Sequence, residues 1–367
     1  MLLLAIALGA LPAPGADVLL LVGTHDAGPG RGFSLAHFDT DTGALGAPLP
    51  GIQSAAPSYF VLSRDGRRVY ACNSMPRGGV SAFGVDPATG RMELLNRVSS
   101  GGAEPCYISL DRTGRFALVA NYDGGSLAVF ALEPGGRIGR RTALVRHTGH
   151  SIDRRRQTRA HPHSIIVDPG NHFALAADLG EDRVYVYRFD QDGGGLSPND
   201  PPFASVQLGF GPRHLAFHPN GKWVYVTAEM GGAVVAFNWD PVRGTLGQIQ
   251  SISTLPPGYL GVHTTAEVLV HPSGRFLYVT NRGPDTLAAF SINPENGRLT
   301  PIENISSQGS MPRNAVFDPS GRWLVAANHD GNNAVVFRVD DRTGILTLAA
   351  PPVFMQHPFG MRFLGSK

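Results

Sequence analysis

Residues 275–285 read "RFLYVTNRGPD", a short run of aromatic and β-branched residues that stops on Asn281 and Arg282 before a Gly-Pro break. Side chains of this type between turn residues predict a strand. The same frame returns along the chain as "SRDGRRVYACN", "DRTGRFALVAN", "DPGNHFALAAD", "HPNGKWVYVTA", "HPSGRFLYVTN" and "DPSGRWLVAAN". The turn residues are Gly66, Gly114, Asn171, Gly221, Gly274 and Gly321. Asn171 is the one non-glycine, and asparagine is the side chain that best tolerates a left-handed backbone.

Nine residues before each turn stands an anchor: Pro57, Pro105, Pro162, Pro212, Thr265 in place of proline, and Pro312. A seventh, Pro358, opens "PFGMRF". Successive anchors lie 48, 57, 50, 53, 47 and 46 residues apart, in or near the period of about 40–50 residues of propeller blades. The longest interval holds the insertion at about residues 144–160.

Each repeat reads as four strands. In the fifth these are "AEVLVH", "FLYVTN", "TLAAFSIN" and "LTPIENISS", separated by turn residues. A lone four-stranded sheet cannot bury both faces, so the repeats must stack, and a ring completes the stack. The expected fold is therefore all-β, a seven-bladed β-propeller over residues 17–367. The last repeat has one strand only, and "DVLLLVGT" and "GFSLAHFD" near the start supply its missing partners. Pairing the two ends within one blade removes an exposed edge. No linker breaks the period, which argues against two domains or an array of sandwiches.

The totals agree. The chain has 367 residues with 46 glycines and 29 prolines, too many for a helical protein but natural for turns in an all-β one. A net charge of +2 carries no dense basic stripe, so no nucleic-acid partner is expected. After the first residues no run approaches the ~20 apolar residues of a membrane span. Residues 1–16, "MLLLAIALGALPAPGA", read as a signal peptide, which would place the protein in the periplasm or outside the cell. An N-terminal extension is the alternative. Cys72 and Cys106 cannot form a disulfide framework and read as two small buried thiols, with a bridge between neighbouring blades as the lesser alternative.

In a blade the first strand lines the channel and the second returns beside it. The start of the first strand and the end of the second therefore share one face of the disc. Each blade contributes the residue after its anchor: Ser58, Cys106, His163, Arg213, Ala266, Arg313 and Phe359. It also contributes the residue eight after its turn: Ser74, Tyr122, Leu179, Glu229, Arg282 and His329. Position is shared and identity is not. His163, Arg213, Glu229, Arg282, Arg313 and His329 all come from blades three to six, and three arginines together would hold an anion. A ring of solvated salt bridges would use the same residue types. The repeated Asn73, Asn121, Asp178, Asn281 and Asn328 read as backbone-bonding residues at the strand ends. His214 and Glu267 lie one residue off this register and are expected to point away from Arg213's side, in a supporting or blade-packing role. Arg362 is placed deeper in the channel. The insertion adds Arg156, Gln157 and His161 to the anion pocket. His147, His150, His161 and His163 have Asp153 as their nearest acid in sequence and fit no standard spacing, so neither metal nor cofactor is expected.

The strings "RRRQTRAHPHS", "GPRHLAFHPNGKWVYVTAE", "AEVLVHPSGRFLYVTNRG" and "MPRNAVFDPSGRWLVAAN" resemble the seven-bladed β-propeller lactonases. These include the propeller-type 6-phosphogluconolactonases, and the 3-carboxymuconate-cyclising propellers look like their relatives. The resemblance implies a cleft where a small anionic or sugar lactone is opened by water, with His163, Arg213, Glu229 and Arg282 as the catalytic group. Arg313, His329, His161, Tyr122 and Arg156 would bind substrate, and either Glu229 or His163 would be the base. Other readings are a muconate-type lactonising cyclase and a propeller that only binds. An exported member would meet a lactone other than a cytoplasmic sugar phosphate.

Overall fold

The computed structural model describes residues 17–25 and 32–365. The expected signal peptide at residues 1–16 lies outside the described residues. Among the described residues every regular element is a strand, and no helix is long and apolar enough to cross a membrane.

The strands form seven sheets. Blade one is built from Pro57–Leu62, Arg68–Asn73, Gly79–Val85 and Met92–Ser99, each strand hydrogen-bonded to the next. Blades two to five repeat this order from first strands Pro105–Leu110, Pro162–Val167, Pro212–Phe217 and Thr264–Val270. In blade six, from Pro312–Phe317, the outer strand is split into Leu346–Leu348 and Val353–Phe354. The split falls at Pro351 and Pro352, which cannot donate to a ladder. Blade seven orders Pro358–Phe363, Asp17–Thr24, Gly32–Asp39 and Leu49–Gln53, so the ends of the chain close the ring as expected. Its fourth strand was not evident in the sequence. The seven first strands contact one another in a closed circuit, from blade one round to blade seven and back.

Burial is deepest in the second strands and falls toward the rim, and this explains the sequence pattern. The second strands Phe116–Asn121, Phe173–Asp178 and Trp323–Asn328 are buried at every position, because each is covered on both faces by a neighbouring blade. They therefore lack polar alternation and mix alanines with large residues. Outer strands such as Met92–Ser99 alternate between half-buried and exposed.

Adjacent blades are also locked at their edges. The turn between the third and fourth strands of blade five lays Gly297 on the Trp223 ring of blade four, and Tyr225 Oη donates to the Gly297 carbonyl at 2.9 Å. Gly344 repeats the contact on Phe276, with Tyr278 Oη donating at 2.8 Å. Both glycines have left-handed backbones, φ +70° and +75°, and a Cβ would fall 2.5 Å from the ring. The six predicted turn residues are left-handed too, Asn171 included at φ 64°.

Candidate active site

Two local devices bring the ends of the strands together. First, the residue after the second strand bonds back across the blade. Tyr122 N donates to the Glu104 carbonyl at 2.9 Å, Leu179 N to His161 at 3.0 Å, and Glu229 N to Gly211 at 2.8 Å. Asn121, Asn281 and Asn328 brace the same corner, donating side-chain N–H to the carbonyls of Ser100, Thr254 and Ser307, as the sequence suggested. Second, the register slips just after the anchor, between Pro162 and Ser164 and between Pro212 and Leu215. Such a bulge breaks strict alternation and re-aims side chains.

His214 and Glu267, expected to point away from Arg213's side in a supporting or blade-packing role, form the layer beneath the predicted one. His214 Nδ1 donates to Glu267 Oε1 at 2.9 Å, Asn314 Nδ2 donates to Glu267 Oε2, and the His163 and His214 rings meet edge to face at 5.2 Å.

Above this layer lies a cavity of about 390 Å³. His163, Glu229 and Arg282 line it and are buried, while Arg213, buried too, does not line it and packs behind Glu229. Glu229 is the hub: its Oε2 lies 2.9 Å from Arg213 Nε and 2.9 Å from Arg282 Nη2, while its Oε1 accepts from Arg156 Nη2 at 2.7 Å. His163 Nε2 is 4.0 Å from Glu229 Oε2, and His163 Nδ1 is 3.7 Å from Cys106 Sγ. Both cysteines are free thiols.

The insertion delivers Arg156, as expected. Gln157 Nε2 donates to Asp182 Oδ1 at 2.8 Å, and Ser151 Oγ donates to Asp182 Oδ2. The same carboxylate accepts Gly209 N and Gly211 N, two residues ahead of Arg213. Arg156 Nη2 also donates to Tyr122 Oη at 3.1 Å. His161 does not line the cavity; it stacks on Tyr122 at 4.4 Å from behind. His329 is likewise off the lining, held by Asp330 at 2.6 Å and edge-on to Phe359. Arg313 lines the cavity with its guanidinium 4.1 Å above the Phe359 ring.

The acidic partners of the insertion's histidines differ from the one sequence proximity offered. Asp153 is not the acidic partner of the histidines, as sequence proximity suggested; it accepts Arg155 N and Arg156 N within its own turn. Folding instead brings Asp178 and Glu181 to His147. Their atoms are already spent: His147 Nδ1 on Asp178 at 2.6 Å, His147 Nε2 on Tyr187 Oη at 2.7 Å, and Glu181 on Gly149 N, Arg183 and Tyr185. This cluster pins the insertion to blade three.

Electrostatics sorts the roles. Burial alone would raise the Glu229 pKa, but the adjacent Arg282, Arg213 and Arg156 hold it well below the usual glutamate value. Burial, aided by Arg213, drives the His163 pKa well below 6.5, so its imidazole is neutral. Burial pushes the Cys106 thiol up to about 12, which removes it as a nucleophile. Arg313 has no carboxylate partner among the described residues; burial and then Arg282 and Arg213 make its cation costly. The Nε–H groups of Arg213, Arg282 and Arg313 have no aligned acceptor, so the 2.9 Å contacts to Glu229 act as ion pairs and leave donors unspent. Buried donors without acceptors are rare and mark where a ligand belongs.

Sequence reasoning did not single out Glu104, Asp123, Thr264 or His25, which complete the lining. Glu104 and Thr264 stand just before anchors, a position that could have been read. Asp123 and His25 follow strand ends with no periodic signal.

The family described as Lactonase, 7-bladed beta-propeller matches residues 19–363. The chain belongs to the seven-bladed β-propeller lactonases. It is 34% identical to a 6-phosphogluconolactonase of Bacillus subtilis, over 94% of this chain and 97% of that one. A 6-phosphogluconolactonase of Formosa agariphila is 33% identical over 88% and 92% of the two chains. The solved periplasmic gluconolactonase of Pseudomonas aeruginosa superposes with a TM-score of 0.91 at 32% identity, covering 96% of this chain and all of that one. The expected propeller, family and enzyme class, a lactone hydrolase, are thus borne out. Within this lactonase the hub of arginines around Glu229 spans the insertion and blades four and five.

Proposed function

We propose that this lactonase hydrolyses a sugar δ-lactone at one mouth of its channel, using His163 as the base and the arginines as the electrophilic wall. The lactonases of similar sequence and the periplasmic gluconolactonase of similar structure support the substrate class. One observation carries the assignment of roles: both oxygens of Glu229 are held by guanidinium groups, while the neighbouring imidazole is neutral. A carboxylate so stabilised is a poor proton acceptor, and its charge serves to hold Arg156, Arg213 and Arg282 together.

A water between His163 Nε2 and Glu229 Oε2, which are 4.0 Å apart, is within hydrogen-bond reach of both. It attacks the lactone carbonyl as His163 takes its proton. The oxyanion that develops meets the N–H groups of Arg282, which lines the cavity, while Arg213 behind Glu229 adds positive charge. Collapse breaks the bond to the ring oxygen, which takes the proton back from His163, and the new carboxylic acid gives its proton to solvent and leaves as a carboxylate. Arg313, with no acid of its own, binds an anionic substituent of the sugar. Tyr122 and Arg156 close the side wall, and His161 and His329 position Tyr122 and Phe359. In this reading the enzyme works without metal or cofactor. The apolar start of the chain and the periplasmic relative together support export.

The test follows loss of δ-gluconolactone and of its 6-phosphate, corrected for spontaneous opening. We expect His163→Ala and Glu229→Gln each to lower kcat/KM by about 100-fold or more. Wild-type rates in both variants would refute the assignment. A muconate in the same panel tests the lactonising direction. Mass spectrometry of the mature N-terminus tests export.

A further inference from the structure

A second cavity, of about 320 Å³, lies at the opposite end of the first strands, with Tyr59, Tyr107, Glu267, Phe317, Arg362 and Phe363 in its wall. Its position in the repeat is informative. Four residues after the anchors stand Val61, Ser109, Ile166, Ala216, Leu269 and Val316, small or apolar in six blades. Blade seven puts Arg362 there. A guanidinium among apolar equivalents is the same signal, a shared position with an odd identity, that marks the lactone site.

Arg362 is settled on its aromatic neighbour but has charge and donors to spare. Its guanidinium lies 5.0 Å from the Tyr59 ring centroid. Nη2 donates to Tyr59 Oη at 2.9 Å and Nη1 to the Met361 carbonyl at 2.7 Å, two of five N–H groups. Among the described residues no carboxylate is ion-paired with it. Glu267 shares the cavity wall, but its two oxygens are engaged by His214 and Asn314. The guanidinium is half-buried in the cavity wall and held charged by Tyr59, Glu267 and Tyr107 around it, so an anion entering the cavity meets a fixed positive charge.

The two cavities are separated by a packed floor. Tyr59 and Tyr107 stack at 4.4 Å, and the His214 ring meets them edge-on at 5.5 and 5.0 Å. We propose that the second cavity is a separate binding site for a small monocarboxylate carried on an aromatic or compact apolar body. The carboxylate pairs with Arg362, and the body rests on the tyrosines, Leu215 and Phe317. A single guanidinium, with Glu267 close by, favours one negative charge over the two of a phosphate. The rings of Tyr59, Tyr107 and Phe317 in the wall favour a ring over a sugar.

Benzoate is the probe, titrated calorimetrically into the whole protein beside its neutral analogue benzamide and beside acetate, which lacks the body. We expect saturable benzoate binding with a Kd on the order of 1 mM, reasonable for so few atoms, and at least tenfold weaker binding of the other two. Arg362→Met should weaken benzoate tenfold or more while lactone turnover is unchanged, and Arg313→Met should leave benzoate binding intact. No saturation up to tens of millimolar overturns the proposal, as does equal binding by Arg362→Met. Loss of binding in Arg313→Met would place benzoate in the lactone site and overturns it too. Should Arg362→Met not fold, benzoate-induced shifts in the NMR signals of Tyr59 and Tyr107, absent with benzamide, decide the matter. Binding is read without turnover, so failure here is distinct from failure of the lactonase mechanism.

Discussion

His163 carries the sharpest prediction at the scale of one residue. Its folded pKa is depressed below 6.5 by burial and by Arg213. As the base it stays unprotonated from alkaline pH down through 6.5, and activity falls only when pH drops through the depressed value. The expected profile of kcat/KM, after subtraction of spontaneous hydrolysis, is flat between pH 8 and 6.5 with an acid limb below. A limb centred at or above 6.5 would contradict the neutral, buried imidazole. Glu229 was legible in the sequence as a rim residue but its task was not. Only the contacts of 2.7–2.9 Å to three arginines show a carboxylate whose charge is already committed.

At the scale of the element, the insertion and the edge turns each make a testable contact. Asp182 joins Ser151 and Gln157 of the insertion to Gly209 and Gly211 beside Arg213. Asp182→Asn replaces one acceptor by a donor facing these N–H groups and should unseat Arg156. We expect a fall in kcat/KM of about tenfold, the scale of one charge-assisted hydrogen bond. Arg156→Met should fall similarly, and the double variant no further than either. Additive losses would mean that Asp182 does not act through Arg156. The edge contact of Gly297 on Trp223 makes Gly297→Ala strained in backbone and crowded at the ring, so it should destabilise by about 1–3 kcal/mol. Denaturant unfolding measures it, and an unchanged midpoint would mean that the turn relaxes freely. The repeat period, turns and anchors revealed all these elements except the outer strand of blade seven, which lies between the ends with no anchor of its own.

Over the whole molecule, acid should unfold this protein through several groups at once. His163, His214 and His161 all have folded pKa values pulled down mainly by burial, that of His214 to about 4. The unfolded chain therefore binds more protons below pH 6.5, and stability falls as pH drops below that value. Glu229 and Glu267 have folded pKa values lowered by their cationic and histidine partners despite burial. Their contribution is present above their unfolded value of 4.5 and fades as pH falls through the lower folded values. The expected melting temperature is steady from pH 8 to 6.5 and declines progressively to pH 4 and below. A melting temperature constant down to pH 4 would mean that the buried histidines are not held neutral.

The sequence by itself determined the architecture, because a blade is a local object. Its turn residues, its anchors and its short apolar strands repeat within about 50 residues, the period expected of a propeller, and their repetition fixes a ring. It also picked out most of the residues that line the cavity, since those follow from where strands begin and end. Tertiary structure alone decided what those side chains do to one another. The layer of His214 and Glu267 beneath the site, the acids that claim His147, and the clamp of Arg156, Arg213 and Arg282 on Glu229 join residues dozens of positions apart. Charge, burial and distance act through space, and spacing along the chain does not record them.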